Sequence, residues 1–294
     1  MDAVITYVDG SDPLWQEDYC KKVNVPVMNK RYRDWGTLKY LLRGIEVFLP
    51  FVNNVYLLVS RDSQVPQWVD RSNLKIVTHD MIMPVESLPT FNSSMIEMFI
   101  HKIPGLSERF LYFNDDMFPI RPCDEEIFFP GGRPRIGFTP SLFSFIDFKK
   151  LCRHSDALAK KALGRCTRSP FFVRPQHTCS PMLRSVCEEV YVKVEDDIMA
   201  SLTPLRGLSN YNQYLFLDYM YYTRMAVPKR LPAKYFSLGF TEPEQIVAKI
   251  EKPGNKRLIC INDAHIDEEK FLRAKEVLTA AFERLLPGKS RFEK

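Results

Sequence analysis

Arg109–Phe118, RFLYFNDDMF, decides how this chain is read. Its apolar run, Phe110 to Phe113, stops abruptly at Asn114, Asp115 and Asp116. Such a run reads as a strand buried on both faces, the habit of parallel sheets. Two adjacent carboxylates at its C-terminal end stand where open α/β sheets bind ligands. Like charges this close repel unless a cation joins them. A hard divalent cation, Mg²⁺ or Mn²⁺, resolves the repulsion and brings a phosphate with it. The chain therefore reads as an enzyme acting on a nucleotide or a sugar phosphate. A bare Asp-Asp pair often holds no metal, so the surrounding sequence must carry the rest.

Outward from that strand, the pattern alternates strand and helix. Ala3 to Val8 reads as a first strand, ended by the turn Asp9-Gly10-Ser11-Asp12-Pro13. Leu38, Leu41, Leu42, Ile45, Phe48 and Leu49 follow a helical period that Pro50 stops. Val55 to Val59 and Leu74 to Val77 read as buried strands. Asn92 or Ser93 caps a helix expected to run to Ile103, closed by Pro104-Gly105. This alternation predicts a Rossmann-like, mostly parallel α/β sheet. From about Pro119 to Pro253, Pro and Phe are frequent and helical stretches dominate, with helices expected over 181–194 and 211–225. Arg257 to Ile261 resumes the strand pattern and ends in Asn262-Asp263, an echo of Asn114-Asp115. Asp267 to Leu286 reads as a final amphipathic helix. The expected division is a nucleotide-sugar and metal-binding core, 1–120 and 255–294, around a mostly helical insertion, 121–254, that supplies acceptor-side and catalytic residues.

Composition narrows the class. With 294 residues, 45% of them hydrophobic and 26% charged, the chain is long enough for a substantial globular core. A net charge of +5 suits anionic substrates and is too weak and scattered to argue for nucleic acid. The most basic stretch, Lys149 to Arg174, reads as a solvated face in preference to a membrane- or glycan-facing one. Seven cysteines, at 20, 123, 152, 166, 179, 187 and 260, form no C-x-x-C pair, and several read as reduced core residues. No apolar run approaches 18 residues. The expectation is a cytoplasmic protein, with peripheral association at the inner face of the membrane left open.

Several short motifs carry chemistry only in combination. Asp9 and Gly10 suit a nucleotide-binding loop, and equally a plain turn. Arg31, within Asn29-Lys30-Arg31-Tyr32-Arg33-Asp34, suits phosphate at a helix start, and equally a solvated basic turn. Glu97 lies among Ile96, Met98 and Phe99 and reads either as a surface residue or as one pointing into a cleft. His177, in Pro175-Gln176-His177-Thr178, suits a general base, though a lone loop histidine is more often structural. Arg206 precedes a helix rich in Tyr and Phe and suits a phosphate clamp, a cap or a stacking role.

Taken in order, four blocks resemble the Stealth family of hexose-phosphate transferases. That family includes bacterial capsule and exopolysaccharide phosphotransferases and the animal enzyme that adds N-acetylglucosamine-1-phosphate to lysosomal glycoproteins. The blocks are ITYVDGSDPLW; the long run from RYRDWGTLKYLLRGIEVFLPFVNNVYLLVS to LPTFNSSMIEMFIHKIPGLSERFLYFNDDMF; QHTCSPMLRSVCEEV with LRGLSNYNQYLFLDYMYY; and ICINDAHIDEEKFLRAKEVLTAAFERLLPGKSRFE. Together they cover about two thirds of the chain, and Cys123 to Arg174 has no counterpart.

The resemblance implies a metal-dependent enzyme using Mg²⁺ or Mn²⁺ and a UDP-sugar donor. A hydroxyl of a glycan or lipid-linked glycan acceptor attacks the phosphorus that carries the sugar, and UMP leaves. The implied catalytic residues are His177, Asp116, Glu97 and Arg206. Asp115, Asp116 and Asp263 are the implied metal ligands. Asp9, Gly10, Arg31, Arg43, Asn114 and Asn262 are the implied donor contacts. The family pattern often carries Asn where Asp9 stands, so no carboxylate is demanded there. A metal-dependent glycosyltransferase that releases UDP, and a non-catalytic glycan-binding protein, are the alternatives.

Overall fold

The computed structural model describes residues 1–24, 32–263 and 266–294. Its strands, in chain order, are β1 (Asp2–Thr6), β2 (Asn54–Val59), β3 (Lys75–Thr78), β4 (Arg109–Asn114), β5 (Met117–Pro119), β6 (Phe138–Leu142), β7 (Phe171–Pro175), β8 (Ser180–Leu183), β9 (Ala233–Ser237) and β10 (Leu258–Asn262). The longer helices are α1 (Pro13–Val23), α2 (Leu38–Phe48), α3 (Asp147–Ala162), α4 (Arg184–Lys193), α5 (Tyr214–Tyr222), α6 (Pro243–Glu251) and α7 (Glu268–Leu285).

The main sheet runs β3-β2-β1-β4-β8. Its first four strands are parallel, and β8 closes the edge antiparallel to β4. Period-two alternation feeds two hydrophobic cores at once. Ile5, Leu57, Leu111 and Phe113 face one side with α2 and α7, while Val4, Tyr56, Phe110 and Tyr112 face the other with α4 and α5. Burial on both faces is why these strands read as unbroken apolar runs. The mostly parallel α/β class expected from the sequence is the one found.

A second sheet, β5-β10-β9, stands against the first; β10 runs antiparallel to β5 and parallel to β9. The chain passes from β4 to β5 in two residues, so Asp115-Asp116 is the corner where it leaves one sheet for the other. β6 and β7 form a separate antiparallel pair.

Local expectations differ in two places. The helix expected over 181–194 begins only at Arg184, because Ser180–Leu183 is drawn into the main sheet against β4. A proline is tolerated in such an edge strand, as at Pro181. The helix expected from Asn92 to Ile103 breaks into Ser93–Glu97 and a 3₁₀ turn, Ile100–Lys102. Asn92 is its cap, accepting from the Ser94 N–H at 3.2 Å. Among the described residues no helix is long and apolar enough to cross a membrane.

Candidate active site

A cleft of about 1060 Å³ opens at the C-terminal ends of the parallel strands, where the two sheets meet. Its wall includes Tyr7 after β1, Asn114 at the end of β4 with Asp115 and Asp116 beyond it, and Asn262 and Asp263 at the end of β10. Arg206 enters from the segment before α5.

The corner carboxylates are held in an electrostatically costly state. Asp116 accepts a long hydrogen bond from the Cys260 thiol, 3.4 Å to Oδ2, while its Oδ1 is buried with no partner among the described residues. The backbone fixes this contact, since Ile261 N–H donates to the Asp116 carbonyl at 2.9 Å and Cys260 stands opposite Met117. Burial, then the neighbouring Asp116, Asp34 and Asp263, raises the Asp115 pKa to about 8. Burial likewise raises Asp116. Carboxylates so placed take up a proton unless a cation joins them.

His177 lies in the turn between β7 and β8. Its ring nitrogens, the Asp116 carboxylate and the Cys260 sulfur offer ligand atoms within 4.8 Å of one another. Burial holds the His177 pKa below its usual value, Asp116 pulling it up and Arg206 pushing it down. The imidazole is therefore neutral near pH 7. Its Nδ1 lies 3.1 Å from the hydroxyl of Tyr214, the first residue of α5.

Just before Tyr214, Gln213 donates its N–H to Glu97 Oε2 at 2.9 Å. Glu97 is buried, and burial raises its pKa. The Tyr112 hydroxyl lies between Glu97 Oε1 at 3.3 Å, Asn114 Oδ1 at 2.8 Å and Thr6 Oγ1 at 3.0 Å. A polar chain thus runs from Glu97 to the cleft floor. Arg206 donates to Ser93 Oγ on the helix that carries Glu97.

Asn114, Asp115, Asp116, Arg206, Asn262 and Asp263 thus share one cleft, with His177 beside Asp116 and Glu97 beneath. Asp263 is already engaged, accepting from Trp35 Nε1 at 3.0 Å and lying 3.8 Å from Arg33 Nε. Asp9 and Gly10 are not among the residues that line the cleft. Asp9 closes its own turn by accepting from Ser11 N–H and Oγ–H at 2.8 and 2.6 Å. Gly10 packs so closely that a β-carbon there would come 2.4 Å from the Tyr32 carbonyl oxygen. Arg31 lies outside the described residues.

Arg43 does not join the cleft. Its guanidinium is buried and forks onto Glu293 at 2.8 and 2.9 Å, with further bonds to Glu283 and the Leu286 carbonyl. This arginine ties α2 to the segment after α7, and its expected donor contact is replaced by an ion pair within the fold.

Three site residues escaped the sequence reading: Cys260, Tyr214 and Arg33. Arg33 lines the cleft with its guanidinium 3.9 Å from the Phe271 ring centroid. Its Nη1 donates to Glu268 at 2.9 Å, while Nε and Nη2 have no hydrogen-bond partner among the described residues. The cation run at 29–33 was the available signal.

The donor set fits a hard divalent cation. A buried carboxylate oxygen lacks a partner, and Asp115 lies beside it. Burial pushes the Cys260 thiol well above its ordinary value, so it is a neutral donor to Asp116 and a poor ligand for such an ion.

Against known proteins, the family described as "Stealth protein CR2, conserved region 2" matches residues 31–135. A capsular polysaccharide phosphotransferase of Streptococcus pneumoniae, WcwK, is 32% identical, the match covering 100% of this chain and 99% of that one. An exopolysaccharide phosphotransferase of Lactiplantibacillus plantarum, cps2G, is 31% identical over 100% of this chain and 96% of its own. The solved galactosyltransferase LgtC, with donor and acceptor sugar analogs, aligns at a TM-score of 0.40 and 10% identity, over 95% of this chain and 96% of that chain.

Proposed function

This chain belongs to the Stealth family, and on that premise we propose that it transfers a sugar-1-phosphate from a UDP-sugar to a hydroxyl of a glycan or lipid-linked glycan acceptor, with release of UMP. The observation that carries the reading is the β4–β5 corner: a buried, unpartnered Asp116 oxygen beside the neutral imidazole of His177. Phosphoryl transfer asks for little covalent chemistry from the protein and much positioning and charge neutralisation.

Asp116 and Asp115 would hold the divalent cation, Mg²⁺ or Mn²⁺, with Asp263 released from Arg33 as a third candidate. When bound, such a cation neutralises the charge on the diphosphate. Arg206 and Arg33 offer guanidinium donors to phosphate oxygens, a planar fork suited to that shape. Asn114 and Asn262 flank the donor. His177 takes the acceptor's proton as the acceptor oxygen bonds to the phosphorus that carries the sugar. The bond from that phosphorus to the bridging oxygen breaks, and UMP leaves with the electron pair. For this, Nδ1–H donates to Tyr214, which leaves Nε2 as the free base. Glu97, anchored by Gln213 and Tyr112, positions Arg206 and the floor of the site. The cleft-facing core, 1–120 with 255–294, holds the donor, and 121–254 brings His177 and Arg206 to it.

The test is the leaving nucleotide. With a UDP-sugar and an accepting glycan, UMP and a phosphodiester product are expected, the phosphorus signal coupled to the anomeric proton. Release of UDP with a phosphate-free glycoside would replace phosphoryl transfer by glycosyl transfer.

A further inference from the structure

The segment without a counterpart among the family blocks carries the largest cluster of exposed apolar side chains in the described residues. Leaving β6, the chain exposes Leu142 (63%), Phe143 (54%), Phe145 (87%) and Ile146 (58%), and Phe148 follows on the first turn of α3. α3 returns the chain through a second loop, 163–170, to β7. There Phe171, also exposed, pairs with Leu142 across the ladder. The two loops are joined where the Phe143 N–H donates to the Pro170 carbonyl at 3.3 Å. Phe143 and Phe145 lie with ring centroids 6.4 Å apart. Phe143 itself has a φ of 55°, uncommon for an aromatic residue.

Charge around this tip is mostly of one sign: Lys150 pairs with Asp147 at 3.0 Å and Lys161 with Asp197 at 2.7 Å, while Lys149, Arg153, Arg165 and Arg168 face no carboxylate partner among the described residues. Among the non-buried residues of 142–171, Lys149, Lys150, Arg153, Lys161, Arg165 and Arg168 are cationic, and Asp147 is the single carboxylate. The other acid of the segment, Asp156, is buried against Lys160 at 2.6 Å and adds no surface charge.

We propose that the tip formed by 142–148 and 163–171 docks the protein on an anionic lipid bilayer. The apolar side chains stand out from two joined loops, ready to insert. Large apolar groups ringed by Lys and Arg match the acyl boundary and the anionic headgroups above it. Long cationic side chains beside such groups keep their charge at headgroup level while the stems lie against apolar surface. A protein partner is disfavoured, because the cores of protein interfaces are depleted of charge and Lys is scarce there. The surface reaches the active site directly: the Phe148 ring stands 6.2 Å from the rings of both His177 and Tyr214. Docking therefore sets the candidate base beside the membrane plane. The solvated face expected for Lys149 to Arg174 becomes a membrane-facing one.

The experiment uses the full chain and vesicles free of donor and acceptor, so its result is independent of the transferase reading. Sedimentation with phosphatidylglycerol–phosphatidylcholine vesicles should carry the protein down, and phosphatidylcholine alone should not. The double variant Phe145→Ser/Ile146→Ser should lose roughly tenfold or more in partitioning, the scale expected when two inserted side chains are removed. Lys149→Glu/Arg168→Glu and added salt should weaken binding in the same direction. A Phe145→Trp variant should show a blue-shifted, brominated-lipid-quenched emission on vesicles, a gain of signal that does not depend on a damaged protein. No partitioning, equal partitioning by the Ser variant, or no quenching of the introduced indole would overturn the proposal. So would a wild-type dimer that Phe145→Ser/Ile146→Ser dissolves, which would assign the tip to a second copy of the chain.

Discussion

Replacing Tyr214 by phenylalanine removes one oxygen from the protein and tests the orientation of His177. The hydroxyl lies 3.1 Å from Nδ1, with Tyr214 buried and the imidazole half-buried. What is lost is a neutral hydrogen bond, worth about 0.5–1.5 kcal/mol. At about 1.4 kcal/mol per factor of ten, that is roughly a two- to thirteenfold fall in turnover. Removing the proposed base, His177→Ala, should cost roughly 10²–10⁴-fold. The two effects should not add: in the double variant, Tyr214→Phe should cost nothing further, because its partner is gone. The assay is single-turnover release of nucleotide from a UDP-sugar at saturating acceptor, with donor binding measured separately. Donor affinity should be unchanged in Tyr214→Phe. A full additional fall in the double variant, or a loss confined to donor affinity, would refute the claim that Tyr214 acts through the imidazole.

Chelation should abolish turnover, with Mg²⁺ or Mn²⁺ restoring it, and Asp116→Asn should keep the fold while losing activity, since an amide is the poorer ligand for a hard cation; activity in excess chelator would remove the metal. Arg33→Met should raise the donor KM by about tenfold or more, the loss of a charge-assisted contact, whereas Arg43→Met should leave KM alone and cost about 3–5 kcal/mol in urea unfolding, because it strands buried Glu293. His79 is buried, and burial lowers its pKa to about 4. Below about pH 6.5 the unfolded chain binds a proton that the folded one refuses. Stability should therefore fall as pH drops from about 6.5 to 4, by about 1.4 kcal/mol per unit from this group, and His79→Gln should flatten that slope.

The main sheet was legible because its strands are buried on both faces, which leaves unbroken apolar runs with polar ends. The Asp115-Asp116 corner was legible for the same reason: nothing in a buried strand calls for two acids. Cys260 was not, because its meeting with Asp116 depends on an antiparallel pairing, Cys260 with Met117, across nearly half the chain. Arg43, which the family resemblance implies as a donor contact, is an ion-pair partner within the fold. Its partners, Glu283 and Glu293, lie about 240 positions on, with no local mark. Pro181–Leu183 read as helix because its strand character comes from the exposed edge of β4 and not from its own residues. The tip at 142–148 was hidden by averaging. The many cations of Lys149 to Arg174 outweigh the exposed apolar residues just before them in any window that spans both.

The pairing of β5 with β10 also fixes when the site can exist during synthesis. Asp115 and Asp116 leave the ribosome early, yet their strand partner, Leu258–Asn262, emerges about 140 residues later. Until then the corner lacks the Cys260 thiol, the Ile261 amide and the Asn262-Asp263 wall. The parallel pairing of β1 with β4 is likewise non-local, joining Asp2 to Phe110. Contacts of such sequence separation close slowly. A growing chain therefore carries its paired acids for much of its translation with no cleft to present them, and the candidate site is assembled only after its last strand is laid in place.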